Sequence, residues 1–434
     1  MKQKRHTPKH IIISHVYSSD NKGDAALTSV LISDLKSKFP DAAMTILRLE
    51  PVKKDSFFEG VPEKPSFMSY ALNRYKNPVI KLAYTFYMIS ATLIYAAWLR
   101  ATGYHLYLPR HMYSIVRLYE QADLIVPVGG GYIRSRKGLF NRLNIPLLLH
   151  PLFFGYLLGK PTVLYSQSIG PFQNKFEKAM VVFVLKRMTL ILLREDTSLA
   201  LSKSLGLTHN VSRAIDAGFL LCSKDAINVR SSYHIPADRL LIGVTVRAWL
   251  KGDAQKKYEK AVAKSLDRLI ETASAHIIFI PQVTASKGDD DRLISRRVQG
   301  LMNHKHAVTC ISDTPDHHRI KALYDGLDML LGTRFHSVIF SLTSHVPVVA
   351  IEYEHKTSGI MHDLGLDQWV IKIEDATTEK LTSLIRQLLE QRDTYHTYLR
   401  IRLPSYVKEA RQSIVKLERS FYKANEDSHD SRAF

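Results

Sequence analysis

A chain of 434 residues exceeds the length at which one hydrophobic core keeps growing, so two domains are expected. Its formal charge of +19, from 60 Lys and Arg against 41 Asp and Glu, favours anionic partners: polyanions, acidic glycans, phosphorylated small molecules or an anionic membrane face. The two cysteines, Cys222 and Cys310, lie far apart without a CxxC or neighbouring His pattern; this argues against a disulfide framework and a zinc site and fits a reducing, cytoplasmic setting.

The basic segment Met1 to His10 leads into an apolar run of only Ile11 to Ile13, too short for the core of a secretion signal. The first strand is expected at Ile11 to His15. Behind it, Asn21-Lys22-Gly23-Asp24-Ala25-Ala26-Leu27 reads as a turn entering a helix. Gly23 there permits close backbone approach. Asp24 either caps the helix or, at the carboxyl end of the strand, accepts a proton from a sugar hydroxyl. A second strand at Met44 to Leu47 precedes an unusually long interval, 52–118, read as a helical insertion. Within it, Leu82 to Leu99 is uncharged and flanked by Lys76, Lys81 and Arg100. Its length is that of a bilayer span, but its Tyr, Thr and Ser content and the lack of a clear second span favour a buried or membrane-surface helix.

Strands are next expected at Leu124 to Val128, Thr162 to Tyr165 and Leu190 to Leu193, with helices between them, the alternation of a parallel sheet covered by helices. Gly129-Gly130-Gly131, followed by Arg134 to Lys137, matches neither the GxGxxG dinucleotide pattern nor a P-loop; it reads as a turn able to bring a ligand against backbone N–H groups. Ser166-Gln167-Ser168-Ile169-Gly170-Pro171 adds hydroxyls and an amide suited to a polyhydroxylated guest. Residues 226–238, in the polar stretch Ser223 to Asp238, read as a linker.

A second series follows: Leu240 to Val246, His276 to Ile280, Ala307 to Ile311, Met329 to Leu331 and Val348 to Ile351. The expected architecture is therefore α/β, two facing Rossmann-like domains with a central cleft. Residues 1–225 are expected to form the N-terminal domain and 239–375 the C-terminal domain. Residues 376–425 are read as helices, interrupted near Pro404, and 426–434 as a frayed tail. Arg247, Gln282, Arg334, His336 and Lys356 all follow strands of the second series. Carboxyl ends of parallel strands are where such sheets bind ligands. Arg247, Arg334 and Lys356 together make an anion cradle, with Gln282 beside it, and His336 moves a proton near neutral pH.

With these residues in order, Asn21-Lys-Gly-Asp24, Gly129-Gly-Gly131, Ser168-Ile-Gly170-Pro171, Asp216-Ala-Gly-Phe219, Arg247, Pro281-Gln282, Arg334-Phe-His336 and Tyr353 to Lys356, the chain resembles the polysaccharide pyruvyl transferase family over roughly residues 10 to 370. The resemblance implies a glycosyltransferase B-like fold, with the acceptor on the side of the N-terminal domain, 1–225, and the donor on that of the C-terminal domain, 239–375. It also implies transfer of a pyruvyl group from phosphoenolpyruvate to sugar hydroxyls of a polysaccharide or lipid-linked glycan precursor, and a donor site containing Arg334 and His336.

The expected division of roles gives donor binding to Arg247, Arg334, Gln282 and Lys356. His336 is the general acid and Asp24 the base. The acceptor lies near Asn21, Gly23, Gly129, Gly130, Gly131, Ser168 and Gly170. No metal or cofactor is expected, and no nucleic acid partner. Peripheral contact with the inner face of the plasma membrane is expected through residues 79–99 and the basic surface. The competing readings are a glycosyltransferase of the same architecture using a nucleotide sugar, and a basic, non-enzymatic glycan- or nucleic-acid-binding protein.

Overall fold

The computed structural model describes residues 7–50, 58, 60–135, 144–285 and 289–430. Arg136 and Lys137 of the basic run after the glycines, the first residues of the 52–118 insertion and the last four residues of the tail lie outside them. The chain divides into two compact units: Met1–Ser18, Leu27–Ala217 and Glu409–Phe434 form one; Ser19–Ala26 and Gly218–Lys408 form the other.

The first unit holds strands β1 (His10–Val16), β2 (Ala43–Arg48), β3 (Glu63–Pro65), β4 (Leu124–Pro127), β5 (Gly130–Ile133), β6 (Val163–Ile169), β7 (Leu190–Leu193) and β8 (Val211–Arg213). They form two four-stranded parallel sheets in the orders β3-β2-β1-β4 and β5-β6-β7-β8, joined by a parallel bridge between Ile125 and Thr162. Helices α1 (Lys22–Lys38), α2 (Phe67–Asn73), α3 (Pro78–Thr102), α4 (Arg110–Gln121), α5 (Asn144–Leu157), α6 (Lys175–Leu185) and α7 (Asp196–Ser204) follow in chain order. Because helices cover the sheet, strands such as β1 and β6 are buried almost throughout, and their apolar residues come consecutively, Ile11 to Ile13 and Val163 to Tyr165, rather than in alternation. The insertion is helical as expected: α2, α3 and α4 pack with α5 around Phe67, Met88, Tyr95, Met112 and Tyr119.

The second unit is one six-stranded parallel sheet of β9 (Leu240–Thr245), β10 (Ala275–Phe279), β11 (Val308–Cys310), β12 (Met329–Gly332), β13 (Val348–Glu352) and β14 (Val370–Lys372). Its order, β11-β10-β9-β12-β13-β14, is that of a doubly wound nucleotide-binding sheet, with the reversal between β9 and β12. The helices are α8 (Val229–Ser232), α9 (Gly252–Ala273), α10 (Asp291–Leu301), α11 (His317–Asp325), α12 (Phe335–Thr343), α13 (Lys356–Asp363), α14 (Thr378–Glu390) and α15 (Arg392–Ala410). The final helix, α16 (Gln412–Asp430), clusters with the first unit, where Lys38 pairs with Glu418 at 3.0 Å and Phe39 meets Phe421.

Several expected boundaries are corrected. The units divide after Ala217, and residues 226–238 belong wholly to the second unit. Arg230 ties that segment to the sheet of the second unit, donating to Arg239 O at 2.7 Å and pairing with Asp328 at 2.8 Å. Pro404 lies inside α15, and the helical breaks fall instead at Gln391 and between Ala410 and Gln412. The expected tail from 426 continues α16 as far as Asp430. Gly130 and Gly131 belong to β5 rather than to a turn.

Candidate functional site

The carboxyl ends of β9 and β12 flank the reversal of the second sheet, and buried hydroxyls fix both. Thr245 Oγ1 accepts from the Thr333 and Arg334 amides at 2.9 and 3.2 Å and lies 2.9 Å from Ser337 Oγ. Tyr258 OH reaches Thr333 Oγ1 at 2.8 Å. This network sets Arg334 as the N-cap residue of α12 and His336 in its first turn, and no side chain caps the helix. A helix start of this kind attracts anions.

Arg334 is 7 % exposed, and Asp291 holds its guanidinium. Nε lies 3.1 Å from both Asp291 oxygens and Nη2 lies 2.5 Å from Oδ1. The other Asp291 oxygen accepts the Gln282 and Val283 amides, so one buried carboxylate joins the loops after β10 and β12. Nη2 also reaches Asp289 Oδ1 at 2.6 Å. Asp289 Oδ2 in turn lies 3.7 Å from Arg247 Nη2. Arg247 rests against two rings, 4.4 Å from the centre of Tyr353 and 4.9 Å from that of Trp249.

Burial opposes ionisation of both carboxylates, with opposite net results. It raises the Asp291 pKa despite Arg334 and the two amides, whereas at Asp289 the Arg334 and Arg247 guanidiniums overcome it and hold the group below the usual range. Burial also disfavours the Arg334 cation, but Asp291, Tyr353 and Asp289 outweigh it and the guanidinium pKa rises.

The Asn21 to Asp24 segment belongs to this same unit, not to the acceptor-side domain expected for it. Asn21 bridges Val283, the Lys22 amide donates to Gln282 O at 2.9 Å, and the Thr284 amide donates to Asp20 O at 3.0 Å. Two loops thus run antiparallel and stitch the start of α1 beside the start of α12. The cap of α1 is Asn21, whose Oδ1 accepts the Gly23 amide at 3.1 Å; Asp24 sits at the third helical position and accepts from Asn21 Nδ2 at 2.9 Å. Gly23 faces the imidazole so closely that a methyl group built on it would lie 1.9 Å from His336 Nδ1. The glycine of this motif is therefore dictated by a side chain more than three hundred residues away in sequence. Phe335 and Phe340 flank the other sides of the half-buried ring.

Of the expected donor residues, Arg247, Arg334 and His336 converge at the two central strand ends. Gln282 is buried, its amide donating to Tyr324 OH at 2.7 Å. Lys356 begins α13 and pairs with Glu354 at 3.7 Å. Asp289, Asp291 and Trp249 were not expected; the run Asp289-Asp290-Asp291-Arg292 ahead of a helix was the available signal.

The remaining expected acceptor residues lie in the first unit. A methyl group on Gly129 would lie 2.4 Å from Ser166 O, so this glycine lets the chain entering β5 close on β6, where Gly130 pairs with Gln167. Gly170 has φ 76°, a left-handed conformation that favours glycine. Ser168 Oγ accepts from Arg194 Nε at 2.9 Å, and Arg194 pairs with Asp216 at 2.5 Å. These motif residues serve a buried ion pair. Among the described residues no group of three His, Cys, Asp or Glu side chains is arranged to hold a metal ion.

The chain is similar to the amylovoran biosynthesis protein AmsJ of Erwinia amylovora, with 24% identity over 88% of this chain and 92% of that protein. Its fold is similar to that of a glycosyltransferase from Rickettsia africae, at a TM-score of 0.56 and 11% identity over 96% of this chain and 99% of that one. MnaA of S. aureus, solved with UDP, aligns with a TM-score of 0.54 and 12% identity over 90% of each chain. The fold is thus α/β of the glycosyltransferase B type, with two Rossmann-like units. Residues 21–355, well over half of the chain and all of the strand-end residues described above up to His355, match polysaccharide pyruvyl transferase, and the chain belongs to that family of polysaccharide-synthesis enzymes.

Proposed function

We propose that the enzyme transfers the pyruvyl group of phosphoenolpyruvate to two hydroxyls of one sugar, forming a cyclic ketal and releasing phosphate. One observation carries the reading: Arg334 and Arg247 converge on a single carboxylate, Asp289, at 2.6 and 3.7 Å, at the strand ends where α12 begins with His336 in its first turn. A small dianionic or trianionic donor with its own carboxylate satisfies the same two guanidiniums. Asp289 holds the seat in the absence of donor and yields it on binding, while buried Asp291 remains the permanent counter-charge of Arg334.

The reaction begins with a proton from His336 to the methylene carbon, which becomes the methyl group. The first sugar oxygen bonds to the adjacent carbon and loses its proton to Asp24, which Asn21 orients. The carbon–oxygen bond to phosphate then breaks with its electron pair. The second hydroxyl oxygen bonds to the same carbon, and its proton leaves with phosphate. The two hydroxyl protons thus balance the one gained by carbon and the one gained by phosphate.

The test is incubation with phosphoenolpyruvate and a panel of saccharide and lipid-linked saccharide acceptors in deuterated water. The expected result is phosphate release coupled to a ketal product with one deuterium in its methyl group. Release of nucleoside diphosphate from a sugar nucleotide, with phosphoenolpyruvate inert, would overturn the proposal.

A further inference from the structure

Between Glu63 and Glu120 the sequence contains no carboxylate, yet it carries Lys64, Arg74, Lys76, Lys81, Arg100, Arg110 and Arg117. Helix α3 runs through the middle of this stretch and is long and apolar enough to cross a membrane, but only 28% of its most apolar window is buried. Its inner face is committed to protein. Met88, Tyr95 and Ala96 join the core, Thr92 Oγ1 lies 2.8 Å from His150 Nε2, and Tyr95 OH donates to Glu120 at 2.5 Å.

The outer face carries Val79, Ile80, Phe86, Tyr87, Ile94 and Trp98, between 46% and 73% exposed. At the helical repeat these six fall within an arc of about 120° and along about 28 Å. A continuous apolar stripe of this extent marks an interaction surface. Exposed Tyr104 and Tyr107 follow the helix, and the Arg100 and Arg187 guanidiniums both lie over Tyr156 near its carboxyl end.

From this we infer that α3 lies flat in the interface of an anionic bilayer, its apolar stripe at the boundary of headgroups and acyl chains and its flanking cations on the headgroups. Charge decides between occupants: a second copy would bring the same carboxylate-free, basic stretch against itself, whereas an anionic lipid surface complements it. The inner-face hydrogen bonds decide between lying and spanning. A crossing helix would have to abandon His150 and Glu120 and carry Thr92 and Tyr95 into hydrocarbon. The aromatic side chains at the helix end suit the headgroup level.

Flotation of the full-length protein with phosphatidylcholine vesicles, with and without phosphatidylglycerol, tests this. Binding is expected to be about tenfold stronger to the anionic vesicles at low salt and to be released by high salt. The double variant Phe86→Ser with Ile94→Ser should lose it, with an unchanged circular dichroism spectrum. Brominated acyl chains should quench Trp98 emission, an effect removed by Trp98→Phe. The inference fails if the protein does not float with anionic vesicles, if the double variant floats equally well, or if high salt leaves it bound as a spanning helix would be. It also fails if sedimentation shows a lipid-independent dimer that the double variant dissolves.

Discussion

Both units bury an arginine against an aspartate, and the two pairs differ in what completes them. In the first unit, Arg194 meets Asp216 with both side chains almost wholly enclosed, and the third member is the Ser168 hydroxyl, 2.9 Å from Nε. In the second, Arg334 meets Asp291, and the third member is Asp289, a carboxylate whose side chain is 47% exposed and which Arg247 also approaches. A buried neutral hydroxyl closes the first pair off from anions. A half-exposed carboxylate leaves the second open to replacement by another anion. On the proposed reading the first is a structural pair and the second an anion seat with a resident occupant.

The largest expected effect breaks the closed pair. Arg194→Met leaves Asp216 buried without its cation and should cost about 3–5 kcal/mol in urea unfolding, whereas Arg194→Met with Asp216→Leu should recover most of the loss. A single variant as stable as the parent would mean that solvent reaches the pair, and the contrast between the two units would vanish.

Next in size is His336→Ala. Turnover with phosphoenolpyruvate should fall about 100-fold or more while the melting temperature stays near that of the parent, because the ring is half-buried at a helix start and not in the core. Near-normal turnover would remove His336 from the chemistry and leave the anion seat as a binding feature alone.

Gly23→Ala sharpens the link between the α1 start and the imidazole. A methyl group 1.9 Å from Nδ1 cannot be accommodated without moving the ring, and a displacement on the order of 1 Å costs about tenfold or more in rate. The decisive measurement is non-additivity: in the His336→Ala background the same change should cost almost nothing, because the shorter side chain vacates the space. Additive losses would show that Gly23 acts on turnover through some other contact.

The second unit's strands were largely legible because buried parallel strands are unbroken apolar runs: Leu240 to Val246, His276 to Ile280 and Val348 to Ile351 match β9, β10 and β13 within a residue. β3, β8 and β14 escaped notice. Each is a three-residue strand at the edge of its sheet, Glu63–Pro65, Val211–Arg213 and Val370–Lys372, too short and too polar to show a period. β5 was hidden by its glycines, which read as a turn although Gly129 is required for close approach to Ser166.

At the site, Arg247, Arg334 and His336 could be found from their positions after strands. The seating of Gly23 on His336 could not, because nothing local to residues 21–24 reveals that they pair with Gln282 to Thr284. The Asp289 and Asp291 contacts were signalled only by the acidic run itself, since a carboxylate before a helix ordinarily reads as a cap, the role that Asp290 alone fills by accepting from the Arg292 amide.

The smallest expected effect is the most specific to the comparison. Asp289→Asn removes the resident charge but keeps a side chain of the same shape, so Arg334 remains paired with Asp291 and the fold is undisturbed. The Asp289 contact is half-exposed, and such pairs are worth only about 0.2–1 kcal/mol, which sets the expected gain at about 1.4- to fivefold in apparent affinity for phosphoenolpyruvate, with kcat little changed. Inhibition by inorganic phosphate should tighten in parallel, because it competes for the same guanidiniums. Since Arg334 and Arg247 hold the Asp289 pKa below the usual carboxylate range, the parent should show this competition unchanged across neutral pH and lose it only in acid, as the carboxylate takes up a proton. If KM instead rises and kcat collapses, Asp289 is a working member of the reaction, and the second pair is completed by a catalytic group rather than by a displaceable one.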